Sequence, residues 1–510
     1  MGVALTTVVE LELSAGVWTD ISLDVLPGMS SRYGINGGGP ADRCASAGTF
    51  RFRLNNMADN TGHLQGYYSP GHTNCRSGFD IDIKVRWRHP ADTYAARSFF
   101  YGKIISILPS PGKYAGNETV IEAVDWIDDA ATETVSGIDT ATAKRMDELV
   151  PLVLAGMESQ PAAISLAVGD STFGYAFDNI RDESTRALSA LAALAQSEGG
   201  YIYLKGDGTL TTEARTDRAS IASIAATLDD TMVGFVVSRA KADFINTIQL
   251  TIHPRRIDAA ATTVLWSRNI ANGESPIEID TGVTLSTLLG AYGDPSNNRA
   301  RCGGTDMQTP VATTDYQMFA NADGTGTNLT ANLSVTAALG GNGVAWTLEN
   351  TGGTKGYITK LQVRGRGIYD RAPVVVKAVD AASVTARGPR LRQIDMPYQD
   401  NVNIAQSYAD YMISIYSTTG SAPRTVTFWA NSDAALAHAA MNVDIGSLVV
   451  VAETVTGVST RAVVNACAFV ESDGFLRVTW TLAPSSVVDF WLLGVAGHGE
   501  LGDVTNLGYL

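Results

Sequence analysis

Hydrophobic and polar residues alternate one for one through much of the first 130 residues. Val9, Leu11 and Leu13 alternate with Glu10 and Glu12, and Phe50, Phe52 and Leu54 alternate with Arg51 and Arg53. Ile81, Ile83, Val85 and Trp87 do the same with Asp82, Lys84, Arg86 and Arg88. A period of two sets one face of a strand against a core and the other in water, as in antiparallel sheets and barrels. Phe99–Leu108 and Glu118–Ile127 predict another strand pair, joined by the turn-rich PSPGKYAGN. Loops heavy in Gly and Pro, GINGGGPADR and GYYSPGHTN, lie between these strands.

The period changes from about residue 136. Ala143–Ala155 has a helical pattern but contains Pro151, which predicts a kink or a split. The stretch SALAALAQSEGGYIYLKGDGTLTTEAR, Ser189 to Arg215, reads as helix, hinge and hairpin. Leu188, Leu191, Leu194 and Ala195 fall at helical spacing, with Asp182 or Ser184 as candidate caps. Gly199-Gly200 stops the helix through a positive φ. Tyr201–Leu204 is then a short strand, and Lys205–Gly208 turns into a second one at Thr209–Arg215. A phosphate loop needs its glycines between a strand and a following helix, with a Lys-Ser/Thr pair. Here the order is helix, glycines, strand, so the glycines are punctuation.

Phe244–His253 returns to a strand pattern. Residues 261–394 are rich in Gly, Thr and Asn and predict an inserted β-sandwich of short strands. A helix at Asn401–Tyr416 carries Val402, Ala405, Ala409, Met412, Ile413 and Tyr416 on one face. Strands resume in TVTFWA, SLVVVAE, TRAVVNACAFV and FLRVTWTLAP. The predicted class is mainly β with α+β elements. No repeat of 20–50 residues is visible, which excludes solenoids and propellers.

Composition adds three constraints. At 510 residues and 45% hydrophobic content the chain can build several cored domains. Charged residues make up only 17%, fewer than usual, as expected of a protein that hides surface in an assembly. The net charge of −15 argues against binding nucleic acid by phosphate neutralisation. Cys44, Cys75, Cys302 and Cys467 lie far apart and mark no disulfide scaffold. The opening MGVALTTVVELEL lacks a signal-peptide pattern, and no apolar run approaches the ~18 residues of a membrane span. The expectation is a soluble protein made in a cytoplasm.

Reactive groups are few. His63, His72 and Cys75 are the only loose metal-ligand cluster, but a structural zinc site takes four ligands in paired short spacings. Asp125, Asp128 and Asp129 in VDWIDDA carry carboxylates of the kind glycosidases pair, yet acids at a strand end more commonly form a turn or a helix cap. Asp323 and Asn328 in DGTGTN lack the oxygen pattern of a calcium loop. GxSxG, HExxH and catalytic-cysteine signatures are absent. The sequence therefore predicts no catalytic residue, no metal site and no cofactor.

Several segments, taken in order, carry a resemblance. They are VVELELSAGVWTDIS at Val8–Ser22, GPADRCASAGTFRFRLNN at Gly39–Asn56, YYSPG at Tyr67–Gly71, FDIDIKVRW and SFFYGKIISI. The helix-glycine-hairpin stretch follows, then PYQDNVNIAQSYADYMISIYS and FLRVTWTLAPSSVVDFWLLGVAGHGELGDVTNLGYL. In this order the chain resembles the tail hub, or minor tail, proteins of tailed bacteriophages, relatives of the T-even baseplate hub. The resemblance covers nearly the whole length, and the long segment 261–394 is its main departure.

That resemblance implies a homotrimeric ring at the tail tip or baseplate of the virion. Two similar barrel domains per subunit would give the trimer pseudo-sixfold symmetry for docking a hexameric tail tube. It implies residues 1–135 as the first barrel, 136–230 as an α+β brace, 231–260 with 395–510 as the second barrel, and 261–394 as the insert. Implied partners are tail tube, distal tail, tape measure and fibre or receptor-binding proteins, with viral DNA passing through unbound. Tripling a charge of −15 gives −45 for a trimer, and an acidic lumen would repel DNA phosphates. Two other readings remain at this stage. One is a cell-wall hydrolase carried on the hub, and the other is a sugar-binding adhesin using Trp346 and Tyr357 of the insert.

Overall fold

The computed structural model describes residues 2–112, 116–136, 138–177, 185–221, 223–238, 244–292, 301–417 and 422–485, with the short pairs 489–490 and 505–506. Asp182, Ser184, the Cys302 side chain and most of the closing motif after Ser485 lie outside the described residues.

Alternation does build the first strands: β1 (Val8–Ser14), β2 (Val17–Asp20), β3 (Val25–Gly34), β4 (Ser46–Asn55), β5 (Lys84–His89), β6 (Arg97–Pro109) and β7 (Glu118–Val124). Phe50, Phe52 and Leu54 are buried along β4, and Val85 and Trp87 along β5. β5 begins three residues later than the alternation suggests. Asp82 sits at φ +62°, so the chain turns there and leaves Ile81 exposed. Glu10 breaks the simple pattern in the other sense. It is buried on β1, where Arg86 and Arg88 donate to its carboxylate at 2.6 and 2.7 Å. Hydrogen bonding from Arg88, then Arg86, holds its pKa down at about 2.

The two regions expected as separate barrels are joined edge to edge in one 13-stranded sheet, and no closed barrel forms among the described residues. In the first half the order runs β3-β4-β7-β6-β5-β1-β2. The second half continues from β3 through Val458–Ser472, Phe475–Pro484 and Ala422–Trp429 to Gly234–Ser238. Leu448–Glu453 and Ala226–Leu228 extend it from the other end of Val458–Ser472. The seam pairs Met29–Gly34 of β3 with Glu471–Ala466, antiparallel.

Aromatic rings fill the core beside that seam. Phe50 stacks on Trp87 at 5.5 Å, Trp87 meets Phe99 at 4.9 Å, and Phe99 meets Phe469 of the second half at 4.7 Å. A buried polar tie adds direction. Arg97 Nη2 donates to Tyr33 Oη at 2.6 Å, and Arg97 Nη1 pairs with Asp444 at 3.0 Å. Tyr33 Oη in turn donates to Asp444 at 3.1 Å.

Six helices are described: α1 (Trp126–Thr132), α2 (Met146–Ala155), α3 (Ala187–Glu198), α4 (Ala381–Arg387), α5 (Val402–Tyr416) and α6 (Ala434–Asn442). α2 runs unbroken through Pro151, so of the expected kink or split the split does not occur. α1, α2 and α3 share a core with the sheet of Ala163–Leu166, Thr209–Glu213 and Tyr201–Leu204. α3 has Arg186 at its N-cap, without a side-chain cap.

The Gly/Thr-rich region forms two sheets around Trp346, Leu348, Leu361 and Val363. One sheet gathers five strands on Gly356–Asp370, and the other is Thr284–Ala291, Gly343–Asn350 and Leu333–Leu339. These strands run from Arg255 to Asp370. Val374–Val379 and Leu391–Met396 instead flank Thr247–Ile252, so that strand joins its own three-stranded sheet rather than the large one. α5 covers this sheet with Ala405, Tyr408, Ala409 and Met412, while Val402, assigned to the apolar face, is exposed. Among the described residues no helix is long and apolar enough to cross a membrane.

Removing Asp444 leaves the Arg97 guanidinium buried without its carboxylate. Asp444→Ala should therefore lower stability by about 3–5 kcal/mol in urea denaturation. Glu118→Ala, at the more exposed Arg53–Glu118 pair (41% and 24% side-chain exposure), should cost under ~1 kcal/mol.

Candidate structural junction

Few of the sequence-predicted reactive groups come together. His63 and His72 are exposed and Cys75 is half-buried. His63 sits at φ +52°, and His72 Nδ1 accepts the Asn74 N–H at 3.1 Å. Among the described residues no three His, Cys, Asp or Glu side chains gather as a metal site. Asp125 caps α1 by accepting the Ile127 N–H at 3.0 Å, and Asp129 pairs with Lys103 at 2.7 Å. Asp323 and Asn328 accept turn N–H groups, of Thr325 and Thr330. Trp346 lies in the sandwich core, so it offers no sugar platform. Tyr357 is half-buried, with Lys355 5.6 Å from its ring centroid.

A different set of residues does converge. After β3 the chain turns at Gly34 and Gly37, both at positive φ, and runs back along the hairpin. The Ile202 N–H donates to the Arg43 carbonyl at 2.9 Å, and the Ala45 N–H donates to the Ile202 carbonyl at 2.9 Å. This register sets Arg43 beside Tyr201. The guanidinium lies 4.4 Å from the Tyr201 ring centroid and 5.7 Å from that of Tyr408 on α5. Arg43 Nε donates to the Pro40 carbonyl at 3.0 Å.

The end of α3 is shaped to admit α5. Gly199 has φ +73°, and a Cβ there would meet the Tyr408 ring at 2.7 Å. Glycine thus serves both the helix stop and the close approach. Gln196 Nε2 donates to the Ala41 carbonyl at 2.8 Å, and the Tyr398 N–H donates to Ser197 Oγ at 2.9 Å. Tyr416 Oη, at the last residue of α5, donates to the Gly38 carbonyl at 3.0 Å.

The large sheet closes the junction. Asn465 Nδ2 donates to the Gly37 carbonyl at 2.6 Å, and Arg218 Nη1 donates to Asn465 Oδ1 at 2.6 Å. Arg218 also pairs with Glu213 at 2.5 Å and lies 3.4 Å from the Tyr201 ring centroid. Between these parts is a narrow cleft, lined among others by Arg43, Arg215, Arg218, Tyr201, Tyr411 and Tyr416. Its interior has room for little more than a water.

Sequence reasoning did not single out Arg43, Arg218 or Glu213. No local signal marks them: Arg43 stands between Asp42 and Cys44, and Arg218 between Asp217 and Ala219.

No family model matches the chain, and no curated protein matches it. Solved structures similar to it include three tail proteins. The 43 kDa tail protein of prophage MuSo2 from Shewanella oneidensis has 8% identity and a TM-score of 0.49, over 94% of this chain and 99% of that one. A tail protein from Neisseria meningitidis MC58 has 10% identity and a TM-score of 0.49, over 94% and 97%. Prophage tail protein gp18 from Listeria monocytogenes EGD-e has 7% identity and a TM-score of 0.42, over 95% and 96%.

Two buried carboxyls make stability depend on pH. Glu198, beside Gly199, accepts the Asp170 and Ser171 N–H groups, yet burial pushes its pKa from 4.5 up to about 7. The nearby Arg215 opposes that rise and Asp170 adds to it. Burial likewise raises Asp125 to about 7. A carboxyl whose folded pKa is raised binds its proton more tightly in the native state. Its stabilisation is full below the unfolded pKa and disappears as pH rises through about 7. For Glu198 the loss is about 3 kcal/mol between pH 4 and 8. Urea midpoints should fall across that range in the wild type and fall less in Glu198→Gln and in Asp125→Asn. An unchanged slope in both variants would remove these two groups as its cause.

Proposed function

We propose that this chain is a structural hub subunit of a bacteriophage tail, without catalytic activity of its own. The single observation that carries the reading is where the resembling segments meet. Arg43 comes from GPADRC, Gly199 and Tyr201 from SEGGYIY, Tyr408 and Tyr416 from the α5 segment, and Pro484 from FLRVTWTLAP. They are spread over more than 400 residues of sequence and build one junction between sheet, hairpin and helix. A junction that holds an architecture packs its side chains against one another in this way, whereas a catalytic site gathers reactive groups around an open pocket.

In this reading the two halves of the large sheet are the two similar units of each subunit, and α1–α3 with their hairpin brace them. Three subunits close a ring at the tail tip or baseplate. The ring meets the tail tube on one side and distal tail, tape measure and receptor-binding proteins on others. Its acidic lumen lets DNA pass without binding. The sandwich of the Gly/Thr-rich region is an insert whose core, with Trp346 in it, is filled by its own packing, and it rests on the brace where Asn342 Nδ2 donates to the Ile138 carbonyl at 3.3 Å.

Light scattering of the purified full chain should give a mass of about 162 kDa, three times 53.9 kDa, and negative-stain images should show threefold rings with an opening. A stable monomer that forms no ring when mixed with its tail tube protein would contradict the proposal.

A further inference from the structure

The sheet of the brace has an open side. Ala163–Leu166 is its outer strand, paired in parallel and without a bulge to Thr209–Glu213. Which main-chain groups stay unpaired follows from the hairpin. The Lys205 N–H donates to the Thr209 carbonyl at 3.0 Å, so Thr209 and every second residue after it face Tyr201–Leu204. Leu210 and Thr212 are left for the outer strand, and the Ala167 N–H reaches the Thr212 carbonyl at 3.4 Å. Ala163 and Ser165 therefore face the ladder, while the N–H and C=O groups of Ile164 and Leu166 point to the open side.

Nothing on this edge discourages pairing. Ala162–Ser165 are exposed, with Ile164 at 49%, and Val168 beyond them is 67% exposed. No charged residue occurs from Ser159 to Gly169, and Pro161 precedes the strand rather than interrupting it. By contrast, β2 carries Asp20, Val374–Val379 carries Lys377, and Leu391–Met396 carries Arg392 and Asp395, charges of the kind that guard an outer strand. α2 runs alongside the open strand. Its Asp147 accepts the Gly169 N–H at 3.0 Å, and its Leu154 carbonyl accepts from Gln160 Nε2 at 2.7 Å.

An open row of main-chain donors and acceptors takes an extended chain, because a strand matches their spacing. The lack of charge here, in a chain of net charge −15, selects an uncharged occupant. A charged side chain laid on this edge would lose hydration without meeting a counter-charge. A second copy of the same edge would pair with it about a twofold axis, which a threefold ring does not contain.

We infer that this edge docks an extended, uncharged segment of another tail protein, added as a fourth strand to the sheet; the class of partner rests on the hub reading. The main chain of the incoming strand bonds Ile164 and Leu166. Its alternate apolar side chains lie beside Ile164, which pairs with Leu210 on the face that shares a core with α2.

The probe is a soluble peptide of alternating Thr and Val, added to the full chain, with amide hydrogen exchange read over residues 160–169. Exchange there should slow at least about fivefold at saturating peptide. Ile164→Lys keeps the main chain but puts a charge on the edge, and Ile164→Pro removes an N–H that the ladder does not use. Both variants should keep the wild-type Tm within about 2 °C and lose the peptide response. No slowing in the wild type would overturn the inference, as would slowing that survives in both variants. Protection without peptide that grows with protein concentration would assign the edge to a second copy, and would overturn it too. The peptide response is expected of monomer and trimer alike, so a ring that fails to form is told apart from an edge that fails to bind.

Discussion

The pairing of Met29–Gly34 with Glu471–Ala466 is the constraint on which the rest of the molecule depends. It joins residues more than 400 positions apart, so it closes a very long loop before it gains any contact. The return comes from burial at the seam. Phe469 packs on Phe99, Trp87 and Tyr33, and such aromatic contacts add about 0.5–1.5 kcal/mol each beyond the area they bury. The Arg97–Tyr33–Asp444 tie contributes a fixed register more than net energy, because desolvating its charges offsets most of their attraction.

Position of the junction follows from that seam. The loop carrying Arg43 leaves directly from the end of β3, and Asn465, on the strand paired with β3, accepts from Arg218 while donating to Gly37. The hairpin then aligns with Arg43 and Ala45, and α5 docks over Gly199.

Much of this was legible along the chain. The inward residues of β4, the αL glycine at 199 and the hairpin after it followed from period and turn chemistry, which are local. What failed was also informative. The start of β5 was misplaced because Asp82 adopts a left-handed conformation that residue pattern does not reveal. Glu10 was assigned to solvent because alternation reports polarity and not the two arginines across the ladder. The union of two β regions in one sheet, and the separation of Thr247–Ile252 from it, depend on long-range pairing that no local period encodes. The junction arginines escaped for the same reason. Each is ordinary in its own segment and unusual only once four segments meet.

The most direct test is native-state hydrogen exchange resolved to single strands. If the seam makes one cooperative sheet, the amides of β3, β4, Val458–Ser472 and Phe475–Pro484 should exchange with a common opening free energy and the same denaturant dependence. Phe469→Ala should lower all four together. Separate opening energies for the strands before residue 124 and those after 422 would show two independent units that merely touch, and would contradict the account.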